Sequence, residues 1–131
     1  MSWSLILHGG AKDIPAAEAK AHRQGCLRAL EPGREILEAG GRALDAVEAC
    51  VRALEDDPTF NAGYGSVLNS DGAVEMDSAV MDGATLDIGA VAAITGVRHP
   101  VSVARALLKE RPVLLVGSRA SGTWSPALPK R

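Results

Sequence analysis

The stretch Leu54-Glu55-Asp56-Asp57-Pro58-Thr59-Phe60-Asn61-Ala62-Gly63-Tyr64-Gly65-Ser66-Val67-Leu68-Asn69 decides how this chain is read. It sets a proline, two glycines, two asparagines and three acids in one irregular loop between a helix and a strand. Backbone carbonyls in such a loop have no ladder partner, and each must be satisfied by something. Water is one answer. A weakly held cation is another, because hard cations prefer oxygen donors.

Upstream of the loop, residues 42–54 predict the clearest helix of the chain. Leu44, Val47, Val51 and Leu54 form an apolar stripe that Ala43, Ala46 and Cys50 widen, and these small flanking residues suit close approach to a sheet. Pro58 ends this helix, since the residue before a proline is pushed out of helical geometry. Residues 16–30 are rich in Ala, Glu, Lys, Arg and Leu, and the helical composition resumes at 36–39 until Gly40-Gly41. Pro32-Gly33 predicts a kink or a break between two helices. Residues 3–8 read as a buried strand closed by Gly9-Gly10.

Downstream, Ser66-Val67-Leu68, the turn Asn69-Ser70-Asp71-Gly72 and residues 74–81 read as a hairpin. Asp82-Gly83 turns into residues 86–95, where Leu86, Ile88, Ala90, Ala92 and Ile94 face one way and Val91 and Ala93 the other. Both faces are apolar, which predicts an antiparallel sheet covered on both sides. His99-Pro100 starts a helix over 101–110, Pro112 follows it, and residues 113–117 read as a further strand. The fold class is α+β, with one domain over residues 1–117. Residues 118–131 hold basic residues, prolines and serines with no acid and no periodicity, and are expected to be an unstructured tail.

With 131 residues, 47% of them apolar and 23% charged, the chain is long enough for one domain with a real core. A net charge of -2 gives no electrostatic reason for a nucleic-acid or membrane partner, and 3% aromatic residues leave little surface for stacking bases. Cys26 and Cys50 fit neither a zinc ribbon nor a disulfide framework and are expected to be reduced, buried thiols. The first eight residues lack the basic start and the apolar length of a signal peptide or span, so a cytoplasmic location is expected.

Other candidate motifs carry less. The Gly-Gly turn at residues 8–12 lacks the spacing and Lys-Ser/Thr pair of a phosphate loop, and Gly63-Tyr64-Gly65 leads into a strand rather than a helix. Asp77 and Asp82, five residues apart, are expected on opposite faces, one an inward satisfied carboxylate and the other capping its own turn. His8 is expected to be a hydrogen-bonded core histidine.

Ala43-Leu44-Asp45-Ala46-Val47-Glu48-Ala49, Leu54-Glu55-Asp56-Asp57-Pro58, Phe60-Asn61-Ala62-Gly63, Gly65-Ser66-Val67-Leu68 and Glu75-Met76-Asp77 together resemble the plant-type asparaginase and isoaspartyl peptidase family. His8-Gly9-Gly10-Ala11, Met81-Asp82-Gly83 and Gly89-Ala90-Val91-Ala92 extend the resemblance over residues 3–117. It implies an N-terminal-nucleophile hydrolase fold, an αββα sandwich of which this chain is the N-terminal part of the α subunit. It also implies a precursor that cuts itself before a Thr, whose hydroxyl then attacks a side-chain amide or isoaspartyl bond with its own α-amine as base. By position, a structural sodium ion would be held by the main-chain carbonyls of Leu54, Glu55, Asp57, Phe60, Ala62 and Tyr64. Asn61 would lie beside the nucleophile in a supporting role, and no organic cofactor is implied. In the complete enzyme the partners would be a small asparagine or β-aspartyl peptide substrate and a β subunit or homologous chain.

The departures from that pattern are as informative. The family's nucleophile and substrate-gripping residues belong to the downstream β subunit. Gly122-Thr123 repeats the cleavage pair, but Trp124-Ser125-Pro126 follows where an anchoring strand is needed, and the nine residues from Thr123 onward cannot form a sheet layer. Lys12 stands where another glycine is common, and Pro32 interrupts the first helix. The resemblance stops abruptly after Gly117, as a truncation or a change of reading frame would produce, and the chain alone is expected to be inactive. The competing readings are a non-catalytic partner docking through an open sheet edge and an unrelated small α/β binding domain.

Overall fold

The computed structural model describes residues 2–117, so the expected tail and Thr123 lie outside the described residues. Their order is α1 (Ala16–Glu38), α2 (Ala43–Asp56), β1 (Met76–Met81), β2 (Ile88–Ile94), α3 (Pro100–Ala106) and β3 (Leu114–Val116), with one-turn 3-10 helices at Gly63–Gly65 and Leu107–Lys109. The chain divides into two compact units, the first Met1–Gly65 and the second from Ser66 onward. The class is α+β, as the sequence predicts.

In the first unit α1 packs along α2. Its buried residues His22, Gly25, Ala29 and Gly33 recur at helical spacing and form one stripe. A Cβ on Gly33 would run into Cys50 Sγ and lie 3.0 Å from Ala46 O, so the two backbones meet there at a distance only glycine allows. The small flank of α2 therefore serves a helix, not the expected sheet. Ala46 and Cys50 are buried, whereas Val47 on the expected stripe is 41% exposed. The Ala39-Gly40-Gly41 end is a Schellman cap: Gly41 N–H donates to Ile36 O, Gly40 N–H donates to Leu37 O, and Gly40 takes φ +78°.

Two expectations for this unit are corrected. Of the kink or break expected at Pro32, the break does not occur; α1 runs through it for 23 residues, because packing of Ala29 and Gly33 on both sides of the proline outweighs one lost hydrogen bond. Residues 3–8 form no strand. No strand among the described residues pairs with them, and Ile6 is almost fully exposed. Cys50 is buried as expected, but Cys26 is only half-buried.

The sheet of the second unit has the order β1-β2-β3 and is mixed, not antiparallel: β1 pairs β2 antiparallel, while β2 pairs β3 parallel. The intervening α3 makes that second connection a crossover, which returns the chain in the same direction. Ser66-Val67-Leu68 joins no ladder; of the expected hairpin the turn at residues 69–73 forms, and so does its second strand, as β1, which pairs with β2 instead. The simple alternation expected along β2 also fails. A bulge between Met76 and Ser78 sets Met76 against Ile94 and Ser78 against Val91, with Ala93 at φ +51°. The extra residue turns Ile94 onto the same face as Val91, where both are buried.

Helix α3 covers that face so closely that a Cβ on Gly89 would collide with Ala104 O. The opposite face carries the cross-strand pairs Met81–Ile88 and Ala79–Ala90, with Leu114 beside Ala90 and Val116 beside Ala92. It is apolar and open, with Met81, Ile88, Leu114 and Val116 each about half-exposed.

Candidate active-site loop

The loop that follows α2 is organised by its own backbone. Leu54 and Glu55 lie in the last turn of α2, and Asp57 is its C-cap in extended geometry before Pro58. Asp57 N–H donates to Leu54 O, Phe60 N–H to Asp57 O, Ala62 N–H to Phe60 O and Gly65 N–H to Ala62 O. Each of those carbonyls keeps a second lone pair. Asn61 and Tyr64 are exposed, whereas Phe60 is buried.

Two glycines close the loop. Gly63 takes φ +52°, and a Cβ there would strike Glu55 O; a Cβ on Gly65 would strike Phe60 O and lie 2.8 Å from Pro58 O. Carbonyl oxygens thus crowd a cradle that any side chain would fill. The cradle sits at the negative end of the α2 dipole, where the last helical turn carries no basic residue. Among the described residues no cluster of three or more His, Cys, Asp or Glu side chains could hold a metal. A cation here would be held by main-chain carbonyl oxygens, the donor type that hard cations take.

Side chains pin the loop to α1. Arg28 Nη2 donates to Asp57 Oδ2 at 2.8 Å, and Thr59 N–H donates to Asp57 Oδ1 at 2.9 Å. Hydrogen bonds from Thr59, then the Arg28 guanidinium, hold the Asp57 carboxyl below its ordinary range against the opposing effect of burial. The Phe60 ring meets His22 edge-on, with centroids 5.5 Å apart. The sequence reading missed these anchors. Their signal was present in Gly25, Ala29 and Gly33, small residues four apart inside a helix, since a helical glycine marks close approach.

The other candidates resolve differently. His8 is exposed rather than a core histidine, because no strand forms around it, and its Nδ1 accepts the Gly10 N–H at 3.0 Å. Asp77 is exposed rather than inward, and its Oδ1 accepts the N–H of Ala93 in the bulge at 2.8 Å. Asp82 Oδ1 accepts the Ala84 N–H of its own turn, as expected.

The comparisons with known proteins converge on one family. A family model described as asparaginase matches residues 1–124. The chain is 48% identical over 113 residues to an isoaspartyl peptidase/L-asparaginase of Mus musculus, covering 86% of this chain and 35% of that protein. It is 50% identical over 124 residues to a plant-type L-asparaginase of Thermococcus kodakarensis, covering 89% of this chain and 39% of the relative. The isoaspartyl peptidase/L-asparaginase of Homo sapiens is 42% identical over 125 residues, 95% of this chain and 41% of that protein. The chain thus spans about two-fifths of the length of the curated relatives it matches. On the family match and these identities, the chain belongs to the asparaginase family that includes isoaspartyl peptidases and plant-type L-asparaginases.

Proposed function

We propose that the chain is the N-terminal, α-subunit portion of an amidohydrolase that cleaves asparagine or β-aspartyl peptides, and that its nucleophilic Thr is supplied by a β subunit outside these residues. The carrying observation is the apolar sheet face bearing Met81, Ile88, Leu114 and Val116, which is open to solvent. An apolar face of this kind calls for a second layer. The missing layer of an αββα sandwich supplies it, and in this reading that layer carries the residue released by self-cleavage.

Within the complete enzyme, the Thr hydroxyl attacks the amide carbon as its α-amine takes the proton and passes it to the departing ammonia or amine, and water then hydrolyses the Thr ester to free the hydroxyl. The part played by this chain is positional. The carbonyls of Leu54, Glu55, Asp57, Phe60, Ala62 and Tyr64 hold a sodium ion, whose charge offsets their crowded dipoles and stiffens the loop. Exposed Asn61 on that loop orients the nucleophile or its water. We place the protein in the cytoplasm, in keeping with its free thiols. No helix among the described residues is long and apolar enough to cross a membrane.

Co-expression with the remaining three-fifths of the Thermococcus kodakarensis relative tests this reading. The two pieces should purify together and release ammonia from asparagine. Failure to associate, with the chain alone monomeric and soluble, would contradict it.

A further inference from the structure

We infer that Phe60 is a positioning residue that couples the cation loop to the Gly9-Gly10 turn, so that an ion held by the loop also fixes the turn. This rests on the sodium reading of the loop given above. Of the loop's two aromatic residues, Tyr64 is 79% exposed and Phe60 only 3%, so one of them is committed to the interior. Its ring lies close against two separate segments. A Cβ on Gly25 of α1 would lie 2.7 Å from Cε2 and 2.8 Å from Cζ, while a Cβ on Gly9 would lie 3.1 Å from Cε1. His22 of α1 closes a further side, with its ring 88° to that of Phe60.

The same residue's main chain belongs to the cradle, where its carbonyl accepts the Ala62 N–H and faces Gly65. An ion drawing that carbonyl into place therefore sets the ring, and the ring sets the turn. The Arg28–Asp57 ion pair at 2.8 Å holds the neighbouring part of the loop to α1. The turn lies against a half-buried thiol: a Cβ on Gly9 would lie 2.8 Å from Cys26 Sγ. Displacement of the turn exposes Cys26, which makes that thiol a reporter. The second thiol, Cys50, is buried and its pKa is raised by that burial, so it reacts slowly.

The experiment follows alkylation of Cys26 by N-ethylmaleimide in the full 131-residue chain by peptide mass, in sodium chloride and in choline chloride at equal ionic strength, beside thermal unfolding. Sodium should raise Tm and slow Cys26 alkylation, by roughly tenfold at about ten times its dissociation constant if opening requires release of the ion. Phe60→Leu keeps an apolar side chain in the core but loses the edge contacts; it should abolish the sodium-dependent slowing while sodium still raises Tm. Gly25→Ala, which pushes the ring from its seat without removing it, should give the same loss and serves where Phe60→Leu does not fold. A Tm rise with no slowing in the unaltered chain overturns the coupling and leaves the loop standing. Slowing that persists undiminished in both variants overturns the assignment to Phe60. No sodium effect on Tm overturns the cation loop and this inference with it.

Discussion

Single residues bear the strain of the loop and the bulge. Gly63→Ala would put a Cβ at positive φ against Glu55 O, and should destabilise the first unit by about 2 kcal/mol in urea unfolding. The opposite sign is expected at Ala93, a non-glycine at φ +51°, where Ala93→Gly should stabilise by up to about 1 kcal/mol. Asp57 has a folded-state pKa below its ordinary value, so its contribution is complete above the ordinary carboxylate pKa and is lost as pH falls through the lowered one. Urea midpoints of the unaltered chain and Asp57→Asn should therefore converge on acidification; a constant gap would show that the carboxylate's charge contributes nothing. Loop residues were legible in the sequence because Pro58, Gly63 and Gly65 have few structural uses. The Arg28–Asp57 pair was not, because partners 29 residues apart leave no local trace.

At the scale of elements, composition located the helices and packing set their extent. The Gly40-Gly41 and Pro58 boundaries were legible because each has a backbone mechanism. Continuity of α1 through Pro32 was not, since it depends on contacts with α2 across the buried stripe. Two substitutions separate these contributions. Pro32→Ala restores an internal hydrogen bond and should stabilise by about 2 kcal/mol, whereas Gly33→Ala, though it favours helix, should destabilise by about 2 kcal/mol because its Cβ meets Cys50 Sγ. Chemical denaturation of both variants checks the pair of signs. The strand expected at residues 3–8 failed for a related reason: a strand is defined by its neighbour, and apolar residues alone do not supply one. Likewise, nothing in the alternation of β2 reveals that Asp77 takes the Ala93 N–H and shifts Ile94 to the other face.

Across the whole molecule, the apolar surfaces exceed what the described residues cover. Val47 of α2 and the free face of the sheet are exposed together with Val67, Leu68 and Leu86. The family was legible because a long run of residues carries it, while the sheet's mixed order depends on the α3 crossover and was not. The proposed function requires an attacking hydroxyl other than that of Thr123. Ammonia and aspartate release from L-asparagine and a β-aspartyl dipeptide by the purified 131-residue chain tests that most directly. The prediction is a rate equal to that of buffer, unchanged by Thr123→Ala. Turnover at an enzymatic rate that Thr123→Ala abolishes would contradict it.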